Sequence, residues 1–371
     1  RCFHCYIKLI LYEDIFCNNH DIFFSCEKQE DVILHVPCEG DDCIIYETSP
    51  YPTPTPNGFP LMIIPDDNPL TFEGVALGKK LFFDPILSSD NSISCASCHI
   101  QNNSFSDPSQ FSIGITGESG FRNASSLVNL GWSSSFNWDG SAVNLREQVF
   151  EPVVNPIEMA NNWDQVEYDL NFNSEYRDLF KRAFNIDYID SVHVAKAIAQ
   201  FERTLVSTNS KYDKWLRGEV MFTNEELDGY NIFNTERGDC FHCHSGKNFM
   251  DDSFHNNGLD EAFTDFGLYN VTGNEDDKGL FKTPTLRNIE YSSPYMHDGR
   301  FSTIDEVIEH YNSGGVYSST IDPLMKYVNS NPYGIDGQTG LMLTQQEKNN
   351  LKAFLLTLSD NDFIQNNEFQ P

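Results

Sequence analysis

The sequence predicts a mainly α fold built from two successive units of one plan. Three observations carry this expectation: an ordered set of landmarks that occurs twice, capping signals ahead of apolar faces with helical spacing, and intervening segments rich in Gly, Pro, Asn and Ser. Those segments hold few alternating apolar runs that could pair as strands. The first unit opens with Gly78-Lys79-Lys80-Leu81-Phe82, reaches Cys95-Ala96-Ser97-Cys98-His99 and closes near Phe201-Glu202-Arg203-Thr204-Leu205. The second opens with Gly229-Tyr230-Asn231-Ile232-Phe233, reaches Cys240-Phe241-His242-Cys243-His244 and closes at Phe354-Leu355-Leu356-Thr357-Leu358. Thr223 with Glu226 and Thr344 with Glu347 form capping boxes, the latter ahead of Leu351, Phe354, Leu355 and Leu358 on one helix face. A chain of 371 residues has the length of two domains, since one usually takes ~100–200.

Residues 1–60 read as a leader or tail followed by a linker, because Pro50, Pro52, Pro54 and Pro56 favour a stiff extended spacer. Six of the ten cysteines lie in the first 43 residues. Cys2-Phe3-His4-Cys5 is followed by Tyr6 and so lacks the trailing histidine of the later pairs, which leaves a disordered or disulfide-bonded tail. The chain starts at Arg1, as processing or truncation would leave it. Phe23-Phe24-Ser25-Cys26 faintly resembles a lipoprotein cleavage site and keeps a lipid anchor at Cys26 open, although Asn18, Asn19, His20 and Asp21 break the stretch before it.

The formal net charge is -31, from 24 Lys+Arg against 55 Asp+Glu. Such a field repels polyanions, which argues against nucleic acid and anionic membrane surfaces and favours a basic protein partner. No run approaches the ~18 apolar residues of a membrane span.

The two later cysteine pairs carry the chemistry. Cys-x-x-Cys-His attaches a c-type haem: both thiols add to haem vinyl groups, and the adjacent imidazole binds the iron. Composition alone gives about 0.01 chance occurrences of this pattern, and two stand at matching places in a repeat. A zinc site would have to recruit two further ligands for each pair from only ten histidines, and a redox Cys-x-x-Cys needs no trailing His. The expected cofactors are therefore two covalently bound haem c groups, on Cys95, Cys98 and His99 and on Cys240, Cys243 and His244. Maturation of such groups implies export, and hence a periplasmic location.

From about Phe72 to Asp360 the chain resembles the bacterial dihaem cytochrome c peroxidases, a family that includes the protein-modifying MauG branch. The resemblance rests on Leu81-Phe82-Phe83-Asp84-Pro85, Arg122-Asn123-Ala124, Trp138-Asp139-Gly140, Glu158-Met159, Lys282-Thr283-Pro284-Thr285-Leu286-Arg287-Asn288 and Pro294-Tyr295-Met296-His297-Asp298-Gly299. It implies two cytochrome c-like domains, 61–212 with the peroxidatic haem and 213–371 with the electron-transfer haem. His99 becomes the proximal ligand of the first haem and His244 that of the second. Gln148 and Glu158, ten and twenty residues after Trp138, match the spacing of the family's distal pair. Trp138 becomes a relay between the haems. A calcium ion is implied on the Asn123 side chain and the Ser292 and Pro294 carbonyls, as suits a hard oxygen-seeking cation.

Three positions depart from the family pattern. Many members carry a distal His where this chain has Ile115, eight residues before Asn123, and no His lies between His99 and His193. The first haem should therefore be open to peroxide at rest. Fourteen residues after His297, where the peroxidases present a methionine, stands Tyr311, as in the MauG branch; Met296, Met325 and Met342 are the alternative sulfur ligands. A phenolate stabilises the ferric state, whereas a thioether favours the ferrous. Gly238 replaces the tryptophan through which MauG oxidises its partner protein.

The leading expectation is a peroxidase that reduces hydrogen peroxide to water with electrons from a small donor protein, a cytochrome c or a cupredoxin. A MauG-like oxidase of a protein side chain or small organic substrate is the alternative, and a non-catalytic electron-transfer dihaem cytochrome is the third reading. Homodimers are common in the resembling family.

Overall fold

The computed structural model describes residues 46–325 and 339–371. The expectations for the cysteine-rich tail, including Cys2, Cys5 and an anchor at Cys26, lie outside the described residues. Helices dominate, and the only sheet among the described residues is a two-stranded antiparallel ribbon, so the expectation of a mainly helical chain holds.

In chain order the helices of the first half are α1 (Phe72–Phe83), α2 (Cys95–Cys98), α3 (Leu145–Val154), α4 (Trp163–Phe172), α5 (Ser174–Phe184) and α6 (Ser191–Glu202). The second half holds α7 (Lys211–Leu216), α8 (Asn224–Phe233), α9 (Tyr269–Thr272), α10 (Ile304–Ser313), α11 (Gln345–Leu356) and α12 (Asn361–Ile364). The ribbon pairs β1 (Phe254–His255) with β2 (Phe281–Lys282). Side-chain caps fix the helix starts: Thr71 accepts from Gly74, Asn144 from Glu147 and Asp190 from His193. The capping boxes read at Thr223–Glu226 and Thr344–Glu347 are formed, and Thr303–Glu306 adds another at α10.

The sequence repeat has a steric origin. α1 packs against α6, and α8 packs against α11 in the same way. At the first contact a Cβ on Gly78 would lie 1.9 Å from the Ala197 carbonyl oxygen; at the second, a Cβ on Gly229 would lie 1.9 Å from that of Asn350. Only glycine lets two backbones come this close, which is why each unit opens on one. The closing landmarks match too: Thr204 and Thr357 each donate a hydroxyl hydrogen bond 2.6 Å to the carbonyl three residues back, and Leu205 and Leu358 are fully buried.

One apolar cluster gathers Leu77, Leu81, Val166, Leu170, Tyr176 and Phe180; another gathers Phe233, Phe249, Leu351, Phe354 and Leu358. The C-terminal residues Phe363, Ile364 and Phe369 pack on Phe82, Phe105 and Phe201 of the first half. The proline-rich stretch runs along the body: Tyr51 donates its N–H to Leu70, and the Trp132 indole donates to the Pro60 carbonyl at 2.8 Å. Among the described residues no helix is long and apolar enough to cross a membrane.

Candidate functional site

Each Cys-x-x-Cys-His motif sits on the wall of its own cavity. The first cavity, about 230 Å³, is bounded by Cys95, Cys98 and His99, and elsewhere by Gln148, Glu151, Glu158 and Glu202. The second, about 290 Å³, is bounded by Cys240, Cys243 and His244, with Tyr311, Met296 and Met325 among its other lining residues. All four cysteines are free thiols. Burial raises the thiol pKa of Cys95 and Cys240 to about 12, so both are neutral near pH 7.

The two histidines are oriented identically. His99 Nδ1 lies 2.9 Å from the Phe105 carbonyl, and His244 Nδ1 lies 3.0 Å from that of Phe249. Phe105 and Phe249 both adopt positive φ, 55° and 52°, which turns their carbonyls back toward the rings. Desolvation holds both imidazoles below their ordinary pKa, hence neutral. A neutral ring that donates Nδ1–H keeps its lone pair on Nε2, the form that binds a metal.

Glu158 faces the first cavity from the turn after α3. Asn155 donates to its Oε1 at 2.7 Å. Burial raises its pKa, with Glu151 adding to the effect and the Asn155 hydrogen bond opposing it. The turn is approached by the segment at Gly114, where a Cβ would lie 1.9 Å from the Ile157 carbonyl, and Ile115 donates its N–H to the Glu158 carbonyl at 3.0 Å. Ile115 itself does not line the cavity. Among the described residues Met159 is the one thioether that does, and it is packed into the first apolar cluster.

Trp138, Gln148, Asn123 and His99 line both cavities and so form the wall between them. The Trp138 indole donates to the Asn123 carbonyl at 2.8 Å, and its own carbonyl accepts from Lys282 N on β2 at 2.8 Å. Asn123 N–H donates to the His297 carbonyl at 2.7 Å, and the His297 ring stacks on Phe281 at 3.6 Å. The Asn123 amide nitrogen donates to Ser109 at 3.0 Å and Gln110 at 3.3 Å, which leaves its Oδ1 available to a cation. Ser292 and Pro294 border the second cavity, as Asn123 does.

Tyr311 reaches the second cavity because α10 presents Ile304, Val307, Ile308 and Tyr311 along one face. Burial raises its phenol to about 12, and Asn257 opposes the shift. Of the alternative sulfur ligands, Met296 and Met325 line this cavity and Met342 does not. At Gly238 a Cβ would fall 2.4 Å from the Ile232 carbonyl, so the backbone itself leaves no room for a tryptophan there.

Sequence reasoning passed over Glu202. It is fully buried on the first cavity wall, its Oε2 has no hydrogen-bond partner among the described residues, and burial lifts its pKa to about 8. In the repeat Glu202 matches Leu355, which lines the second cavity; a carboxyl where the sister helix carries leucine was the available signal.

These features fit a porphyrin in each cavity: paired thiols, an imidazole whose Nδ1 is held by a backbone carbonyl and apolar walls, with, in the first, a buried carboxyl oxygen that lacks a partner among the described residues. They define a class, c-type cytochromes with two haem sites. The description "di-haem cytochrome c peroxidase" belongs to the family profile that matches residues 72–221. Cytochrome c551 peroxidase of Nitrosomonas europaea is 39% identical over 255 residues, 67% of this chain and 76% of the relative. The methylamine utilization protein MauG of Methylorubrum extorquens is 37% identical over 307 residues, 79% of this chain and 80% of the relative. The crystal structure of a MauG-like protein associated with microbial copper homeostasis superposes with a TM-score of 0.76 at 34% identity, covering 86% of this chain and 98% of that one. This chain belongs to the di-haem cytochrome c peroxidase family.

Proposed function

We propose that the protein is a periplasmic dihaem c-type peroxidase that reduces hydrogen peroxide to two waters, using two protons and two electrons from a small cytochrome c or cupredoxin. The observation that carries this is the make-up of the first cavity: a thiol pair and an oriented imidazole together with Glu158 and Gln148, in a stretch that supplies no second histidine. In this reading residues 61–212 hold the first haem and 213–371 the second, each through thioether bonds to its cysteines. The Asn123 side chain with the Ser292 and Pro294 carbonyls would hold calcium.

When bound, the haem iron would supply the redox chemistry. His99 and His244 would hold the irons through Nε2, each ring fixed at Nδ1 by a backbone carbonyl. Glu158 takes the proton from the near peroxide oxygen and returns it to the departing oxygen. Its raised pKa makes it a stronger base than a solvated carboxylate, and the Asn155 hydrogen bond to Oε1 leaves Oε2 to do the transfer. Gln148 orients peroxide or water through its amide. Trp138 passes electrons between the haems; its presence in the wall common to both cavities supports this reading.

One feature favours a second reading, a MauG-like oxidase: Tyr311 lines the second cavity. The crowding at Gly238 counts against oxidation by the MauG route. Peroxide added to the diferric protein separates the readings. The peroxidase reading expects turnover of reduced cytochrome c; the oxidase reading expects a long-lived oxidised state with poor turnover. A carrier would be inert to peroxide. Glu158→Gln should lower the rate with peroxide by about 10²–10⁴-fold while both haems stay bound. An unchanged rate would remove Glu158 from the reaction. A lipid anchor would place the protein in the membrane fraction, and a homodimer would sediment at twice the mass of the chain.

A further inference from the structure

The two cavity walls follow one sequence pattern after their histidines: Phe105-Ser106-Asp107-Pro108-Ser109 in the first unit and Phe249-Met250-Asp251-Asp252-Ser253 in the second. Each Asp accepts from the serine N–H two residues on, at 2.7 Å for Asp107 and 3.0 Å for Asp251. Their second oxygens differ. Asp107 Oδ2 accepts from the neutral Ser112 hydroxyl at 2.7 Å, whereas Asp251 Oδ2 lies 2.8 Å from His255 Nε2. The other ring nitrogen, Nδ1, lies 2.6 Å from Asp322 Oδ2.

A carboxylate on each ring nitrogen requires both to carry a proton, so His255 is an imidazolium. Asp322 first, with Cys243 and Asp251, raises its pKa to about 11. Thioether formation would remove the Cys243 contribution and leave both carboxylates in place. The ring lines the second cavity, and the Cys243 sulfur lies within 4.8 Å of a ring nitrogen. At the matching point of the first unit stands Phe111, and the cation on that cavity's wall is Arg122, paired with Asp139 and Asp265.

We propose that His255 is a fixed positive charge beside Cys243, on the wall of the second haem site, that offsets Asp251 and Asp322 and keeps the reduction potential of that haem above the value the two carboxylates alone would give. His255 is thus a positioning residue for electrons rather than a catalytic residue. A cation beside a redox centre stabilises the reduced state, and partial burial keeps the interaction from being screened. The inference rests on the dihaem reading.

The test is spectroelectrochemical titration of the holoprotein, with two haems counted beforehand by the pyridine haemochrome spectrum. His255→Gln removes the cation and leaves two carboxylates, each still held by a backbone N–H from Ser253 or Leu324. The potential of the second haem should shift downward and that of the first should stay put. Asp322→Asn removes an anion while Asp251 keeps the imidazole charged, so the second haem should shift upward. A purely structural clamp would move both variants the same way, or neither, and that result would overturn the proposal. Should His255→Gln fail to fold, the sign of the Asp322→Asn shift decides, with a downward or absent shift counting against. Two haems with same-sign shifts reject this inference alone, whereas a protein without a second haem rejects the dihaem reading with it.

Discussion

Arg287 offers the sharpest test of how the second site is held. Its side chain is fully buried and pairs with Asp213 through two parallel hydrogen bonds, Nη1 to Oδ2 and Nη2 to Oδ1, each 2.9 Å. Its Nε donates to the Lys247 carbonyl at 2.6 Å, inside the loop whose Phe249 carbonyl orients His244. The guanidinium also lies 5.0 Å from the Phe59 ring centroid and 5.9 Å from that of Phe249. Arg287→Met keeps the stem and deletes the charge, leaving Asp213 buried with only its Ser210 contacts. Breaking a buried pair from one side costs about 3–5 kcal/mol, against 0–1 for a surface pair. The measurement is the denaturant midpoint of the holoprotein, read beside the absorption spectrum of the second haem. Both should change, because the freed 245–249 loop no longer fixes the His244 tautomer. Arg287→Met with Asp213→Asn removes both charges, keeps an oxygen for the Ser210 cap and should recover most of the lost stability. A single-variant loss below about 1 kcal/mol, or a double variant no better than the single, would refute the account.

Further outcomes follow from the packing and from one surface ion pair. Gly78→Ala and Gly229→Ala each force a methyl against a backbone carbonyl and should cost about 1–3 kcal/mol or more in thermal or chemical unfolding; an unchanged midpoint would mean the helix crossings are not as close as described. Glu347, held at about 2 first by its Arg237 hydrogen bonds, has a folded pKa below its ordinary 4.5. Its contribution is therefore complete above pH 4.5 and is lost as pH falls through about 2. Glu347→Gln should be less stable than the parent at pH 6, and the gap should close on acidification; a gap that persists at the lowest pH would assign the effect to the Thr344 cap instead.

The sequence by itself determined what local chemistry and spacing encode. Both Cys-x-x-Cys-His motifs, the helix caps at Thr223 and Thr344 and the glycines opening each unit were legible because each feature spans a few residues and repeats. The order of Trp138, Gln148 and Glu158 was legible only through resemblance, since nothing local marks one carboxylate among 55 acidic residues. Tertiary structure alone decided which groups face one another. The carbonyls of Phe105 and Phe249 that orient the histidines depend on backbone turned to positive φ in phenylalanines, residues that carry no turn signature. The pairing of Arg287 with Asp213 and of His255 with Asp322 joins positions 74 and 67 residues apart. Such contacts leave no periodicity in the chain, because burial and charge compensation are set by which segments the folded helices bring together.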